Sequence, residues 1–247
     1  MVDYPHLVSA PITEAILDIR VSTSDYPTDE NIEGFRRSID DAYPRLEFLT
    51  KQNIVFKVGA GFEPVSDSRS RAGVKLFSSD ARRVLQATPD GFTLSHMKPY
   101  SSWDQYSTEA RDLWDRYIAL FKPSMVNRVA LRYVNQFAIP DATEHLVDYV
   151  RVFPGIPTEV TSQVLEYTVR TAIPIPEVGG TGILTFVIGQ TSKESPHAPA
   201  VIDTDVFVQQ PAQVNTDEVW SMLELLHSVK NRIFFECLTP KAWELFQ

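Results

Sequence analysis

Hydrophobic positions along this chain move repeatedly between a period of two and a period near 3.6, and each change of period marks an element. In "EAILDIRVS", Ala15, Leu17, Ile19 and Val21 alternate with Glu14, Ile16, Asp18 and Arg20, which predicts a strand with one buried face. "PTDENIEGFRRSIDDAYP" takes the helical period: Ile32, Phe35, Ile39 and Tyr43 form a stripe, Thr28 or Asp29 caps it, and Pro44 stops it. "NIVFKVG" is a short strand. "EPVSDSRSRAG" is polar, holds Pro and Gly and has no apolar period, so it predicts a loop. "VKLFSS", "RRVLQAT" and "FTLSHM" follow as strands, the last two joined across the turn sequence "PDG".

The next stretch is helical. Trp103, Tyr106, Ala110, Leu113, Trp114, Tyr117 and Leu120 lie along one side, with Ser102 and Gln105 as a capping box. So aromatic a stripe needs a wide receiving surface, and a curved sheet supplies one. The strand "VNRVALRYVNQFAIP" comes directly after it. The remainder reads as three strands, "TSQVLEYTVRTAI", "GILTFVIGQ" and "AVIDTDVFV". A helix capped by Asn215 and Glu218 follows, then a last helical turn with Thr239 as cap and Pro240 at its first position. Runs of strands each feeding a long amphipathic helix predict an α+β fold: antiparallel β-sheets in two loosely similar halves, 1–140 and 141–247, each packed against long helices. The two halves form one domain or two.

The stretch "RVALRYVNQF" carries the densest candidate chemistry. Alternation puts Val129, Leu131, Tyr133, Asn135 and Phe137 on a core face, and Arg128, Ala130, Arg132, Val134 and Gln136 on the other. Arg128 and Arg132 then lie about 13 Å apart on one face. They either enter a cross-strand ladder with Glu14 and Asp18 or receive an anionic ligand or a partner's carboxylates. Asn135 on a core face must find hydrogen-bond partners, so it pins a neighbouring loop or points into a pocket. Trp103, at the first turn of its helix, belongs to the core or lines a cleft mouth. His227 flanks the apolar stripe of the last long helix. The candidate ligand- or partner-binding residues are thus Arg128, Arg132, Tyr133, Asn135, Trp103 and His227.

Composition narrows the classes. With 43% hydrophobic and 22% charged residues the chain can build a core and is not disordered. A net charge of −9 without any Lys/Arg run disfavours nucleic acid. Cys237, the one cysteine, permits neither an intrachain disulfide nor a cysteine zinc site. The N-terminal residues lack the basic and apolar regions of a signal peptide, and no stretch approaches the ~18 apolar residues of a membrane span, so a cytoplasmic protein without a membrane partner is expected. "VGAGFE" (58–63) lacks the Lys-Ser/Thr tail of a phosphate loop. The five histidines His6, His96, His145, His197 and His227 show no ligand spacing, and neither metal nor cofactor is expected. Asp203 and Asp205 lie on one strand face about 6.7 Å apart, a spacing that suits Mg²⁺ or an ordinary solvated face.

In order and spacing, "PITEAILDIR", "RVALRYVNQF", "IDTDVF" and "LHSVKNRIFFECLT" resemble a sporadically distributed bacterial family of unknown function. The resemblance spans most of the chain, with Arg-Tyr-x-Asn as its most specific piece. It implies a cytoplasmic bacterial protein and assigns no catalytic residue. Patchy distribution is associated with accessory, defence and toxin–antitoxin genes.

Three functions fit these observations. The first is a non-enzymatic accessory protein acting through a protein partner, as in a bacterial defence or toxin-neutralising pair. The second is a small-molecule binding module with a pocket between sheet and aromatic helix. The third is an enzyme on phosphorylated or nucleotide substrates that uses Asp203, Asp205 and the arginines. A solvent-connected pocket lined by Trp103, Tyr133 and Asn135 would favour the second.

Overall fold

The computed structural model describes residues 4–5, 7–23, 28–58, 62–140, 146–157, 159–160, 164–191 and 197–247, with backbone alone over 51–58 and 62–71. His6, His145 and most of the glycine-bearing turn in "VGAGFE" lie outside the described residues. The strands are β1 (Ile12–Thr23), β2 (Arg45–Val58), β3 (Phe62–Phe77), β4 (Arg83–Thr88), β5 (Gly91–Met97), β6 (Pro123–Ile139), β7 (Tyr167–Ile175), β8 (Gly180–Ile188), β9 (Ala198–Val208) and the two-residue β10 (Ala212–Gln213). The helices are α1 (Asp29–Ser38), α2 (Trp103–Phe121), α3 (Thr216–Cys237) and α4 (Pro240–Trp243).

All ten strands pair antiparallel in one open sheet, in the order β2-β3-β4-β5-β1-β6-β9-β8-β7, with β10 beside β6. The two strands read most clearly from alternation, β1 and β6, are central neighbours paired through Leu17 and Leu131. Their apolar faces are buried: Ala15, Leu17 and Ile19 on β1, and Val129, Leu131 and Tyr133 on β6. No helix among the described residues is long and apolar enough to cross a membrane.

Local capping follows the chain chemistry. Thr28 forms a reciprocal capping box with Asn31, Ser102 accepts from the Gln105 N–H, and Asn215 accepts from those of Asp217 and Glu218. On α2 the buried side chains are Tyr106, Ala110, Leu113, Trp114, Tyr117 and Phe121. The Tyr106 hydroxyl donates toward the Leu94 and Ala15 carbonyls, and Tyr117 donates to Thr88 O, so this helix is tied to the sheet by polar tips as well as apolar bodies. α2 and α3 are joined by Arg111–Asp217 at 2.5 Å and by the Trp103 indole N–H on the Glu224 carboxylate at 2.8 Å.

One expectation is corrected. "EPVSDSRSRAG" is not a loop but the middle of β3, paired with β2 from Arg45↔Phe77 to Val58↔Phe62. β3 also pairs with β4, but only over Val74–Phe77, so the rest of the hairpin is a two-stranded ribbon extending past the sheet. A ribbon needs no single buried face and therefore shows no apolar alternation. Its glycine is a departure point: Gly73 has φ +148, and a Cβ there would come within 2.4 Å of the Ala87 carbonyl oxygen.

Candidate functional site

β6 divides the candidate residues between its two faces. On the core face, Tyr133 and Asn135 are 1% and 4% exposed. The Asn135 amide donates to the Ile202 carbonyl on β9 at 3.3 Å, and the hydroxyls of Tyr133 and Tyr100 share a hydrogen bond at 3.0 Å. Burial pushes the Tyr100 hydroxyl up to about 12 and Tyr133 higher still, so both remain protonated donors.

α2 and α3 complete this side. The Trp103 ring stacks on His227 with centroids 4.4 Å apart and planes within 7°. His227, Lys230, Asn231 and Phe234 follow the i, i+3, i+4, i+7 spacing, which places them on one face of α3. The Asn231 amide faces the His227 Nε2 at 3.4 Å. Burial first, and then the Lys230 charge, push His227 down to about 3, so its imidazole is neutral at any ordinary pH.

Between these elements is a cavity of about 710 Å³, lined by Trp103, Tyr133, Asn135, Thr204, His227 and Lys230 among others. Its remaining wall is chain outside regular structure. Leu7–Pro11 crosses it as a strap, held by Ser9 N–H to Phe246 O and by Gln136 N–H to Pro11 O, both at 2.9 Å. Tyr4 stacks on Phe235 at 4.6 Å and anchors the strap's far end. The loop Lys98–Ser102, with a cis bond before Pro99, forms the rim.

The lining is rich in donors. Among its described residues it contains two lysines, Lys98 and Lys230, and no Asp or Glu. Lys98 is exposed at the rim. Lys230 is 6% exposed, and its ammonium sits 3.5 Å from the centroid of the Tyr133 ring. No hydrogen-bond acceptor or carboxylate reaches it among the described residues, and burial alone pushes it down to about 7. Beside Tyr133 in the sheet register is Thr204, 1% exposed, whose hydroxyl also has no hydrogen-bond partner.

The arginines lie on the opposite face and form a ladder. Arg128 bridges Asp18 (2.9 Å) and Asp205 (3.1 Å), and stacks its guanidinium 4.5 Å over Phe207. Arg132 holds Asp203 bidentately at 2.8 and 2.7 Å, and Arg20 holds Asp18 at 2.6 Å. The carboxylate partners therefore come from β9 as well as β1. Glu14, named from sequence, acts on Arg132 only through space. Burial raises the Asp205 carboxyl despite the two arginines, and the hydrogen bonds Arg132 donates to Asp203 raise Arg132. Trp103, Tyr133, Asn135 and His227 are thus gathered at one cavity, whereas Arg128 and Arg132 are not part of it.

Sequence reasoning did not single out Lys230, Thr204 or Tyr100. A signal for Lys230 was present: it falls on the apolar stripe that runs through Leu223, Leu226 and Phe234. The "DTD" run drew notice for its carboxylates, but its threonine is the residue that faces the core. A second cluster was also missed. Glu109 accepts from Tyr43 (2.7 Å), Arg83 (2.8 Å) and His96 Nε2 (2.9 Å) at the edge of a smaller cavity of about 290 Å³. Burial would raise the Glu109 carboxyl, but these three partners outweigh it and hold it below the usual range. Comparison with protein-family models gives no match, and comparison with curated proteins gives none either.

Proposed function

We propose that this protein is a small-molecule binding module whose ligand occupies the cavity over the Tyr133 face of β6. One observation carries this reading: Lys230, 6% exposed and without an acceptor among the described residues, lines a cavity of about 710 Å³ beside Thr204, whose buried hydroxyl has no partner among them either. Uncompensated polar groups of this kind are costly, and a chain retains them where something else satisfies them. The volume lies in the range that encloses ligands of metabolite or drug size. The stacked Trp103–His227 pair offers a flat wall, and neutral His227 adds no charge to it.

In this reading the chain is two halves, 1–140 with β1 through β6 and 141–247 with β7 through α4. The cavity lies where they meet, since β1, β6, α2 and α3 all contribute to its surroundings. The phosphoryl-enzyme reading has less support, because Asp203 and Asp205 are engaged by arginines on the face away from the cavity. An accessory protein acting through a protein partner, from the bacterial family the sequence resembles, retains one supporting feature. Val147, Phe153, Ile156, Val160 and Leu165 are exposed apolar side chains within one stretch of chain.

Native mass spectrometry of protein isolated from its own cells under non-denaturing conditions tests the reading. A bound small molecule is expected in the wild type, with lower occupancy in Trp103→Ala. Wild-type protein that carries nothing, and whose melting temperature no member of a metabolite library raises, would overturn it.

A further inference from the structure

We propose that the ligand is a monocarboxylic acid with an apolar or aromatic body, whose carboxylate is received by Lys230 Nζ. This rests on the cavity being a ligand site and adds the chemical class of what it takes. The argument starts from charge. The chain carries a net charge of −9, yet the described lining of this cavity has two lysines and no acid. An acidic protein that keeps the described lining of this cavity free of carboxylates leaves that role to a guest.

Position supports the same chemistry. Tyr133 and Thr204 are register partners on adjacent strands and share a face, so their side chains are neighbours. Lys230 Nζ lies over the Tyr133 ring. Lys230 therefore reaches from the helix to the same part of the sheet, where the Thr204 hydroxyl beside Tyr133 is itself closed off. The Tyr100–Tyr133 pair adds to the supply, because two hydroxyl protons share a single hydrogen bond and one is left to donate. Unsatisfied donors grouped around one ring match the acceptor-only oxygens of a carboxylate.

A single negative charge fits better than two. One buried lysine neutralises a carboxylate, whereas a phosphate monoester carries more charge and is usually met by arginine forks or a helix N-terminus. The arginines here are committed on the other face of the sheet. The rest of the lining, including Ile12, Trp103, Phe234 and Phe235, suits a hydrocarbon or ring. Lys98 at the rim gives an approaching anion a local positive field within an acidic surface.

The experiment titrates the purified wild type with octanoate and phenylacetate, each against its neutral amide, and with octyl phosphate, following heat and melting temperature. At least one acid should bind saturably and more tightly than its amide by about tenfold or more, the size expected for a charge-assisted hydrogen-bonded pair. Lys230→Met should erase that preference while leaving amide binding in place. Lys230→Arg, which keeps the positive charge, should retain the preference and guards against a folding defect in the methionine variant. Amides that bind as well as their acids would overturn the carboxylate assignment and leave the cavity reading standing. Octyl phosphate binding more tightly than octanoate would do the same. If neither acid nor amide binds at millimolar concentration, the carboxylate assignment falls, and the cavity reading is decided separately by the native mass spectrum and the metabolite library.

Discussion

Lys230 Nζ stands 3.5 Å from the centre of the Tyr133 ring, with no carboxylate beside it among the described residues. The ring's negative face attracts the ammonium, but such a contact contributes roughly 0.5–2 kcal/mol and does not replace the water removed from a buried charge. The lysine therefore gives up its proton readily, and the cavity around it holds an amine that switches between neutral and charged near neutral pH.

Stability should depend on pH through this residue. Lys230 falls from 10.5 unfolded to about 7 folded. Between those values the unfolded chain holds a proton that the folded protein has released, so wild-type stability rises with pH across that window. The cost of burying the charge is fully present below about 7. Lys230→Met should therefore stabilise the ligand-free protein most at low pH. Its advantage should shrink by up to about 1.4 kcal/mol per pH unit above neutrality. Urea unfolding at about pH 6 and about pH 9 reads the difference directly; equal shifts at both would mean the ammonium is already compensated.

Thr204→Val removes a buried hydroxyl that has no hydrogen-bond partner among the described residues and replaces it with a methyl of similar size. Ligand-free protein should gain about 1 kcal/mol, because a desolvation cost disappears and no hydrogen bond is lost. Denaturant midpoints measure this, and a loss of stability would show that the hydroxyl has a partner in solution.

Arg132→Ala breaks a bidentate pair with Asp203 whose arginine side chain is 47% exposed. Solvent screening limits the cost to about 1 kcal/mol or less. Because the ladder lies on the face away from the cavity, octanoate affinity should not change. A loss of binding with stability intact would place the ligand on the arginine face.

Trp114 is fully buried between Phe92 and Tyr117, with ring centroids at 5.7 and 5.3 Å. Trp114→Ala should cost about 3–5 kcal/mol, through lost burial and the cavity left behind. Its indole N–H has no partner among the described residues, so Trp114→Phe, which removes that group, should cost much less than the alanine change. Thermal and chemical unfolding of the two variants gives the comparison.

Elements built on one repeating face were legible in the chain. β1, β6 and α2 bury most of the residues that alternation or helical spacing put together, with Trp103, Leu120 and Phe137 only partly covered, and Thr28, Ser102, Asn215 and Thr239 cap where local chemistry places them. These follow from interactions within a few residues, which sequence order preserves. The ribbon of β2 and β3 was not legible, since a strand paired with one neighbour beyond the sheet is under no pressure to segregate apolar side chains.

The division of "RVALRYVNQF" was likewise legible, with Tyr133 and Asn135 on one face and Arg128 and Arg132 on the other. The partners of the arginines depended on β9 lying beside β6, a neighbour roughly seventy residues away that the local pattern does not name. The same limit hid the site. Lys230 sits on an apolar helical stripe, which the chain displays, but its lack of an acceptor is a property of its surroundings. Only the folded arrangement of α3 over β6, with the Leu7–Pro11 strap and the Lys98–Ser102 rim closing the remaining sides, turns a lysine on a helix into an uncompensated amine inside a cavity. Periodicity records which way a side chain points along its own element, whereas desolvation is decided by segments distant in sequence that converge on the same volume.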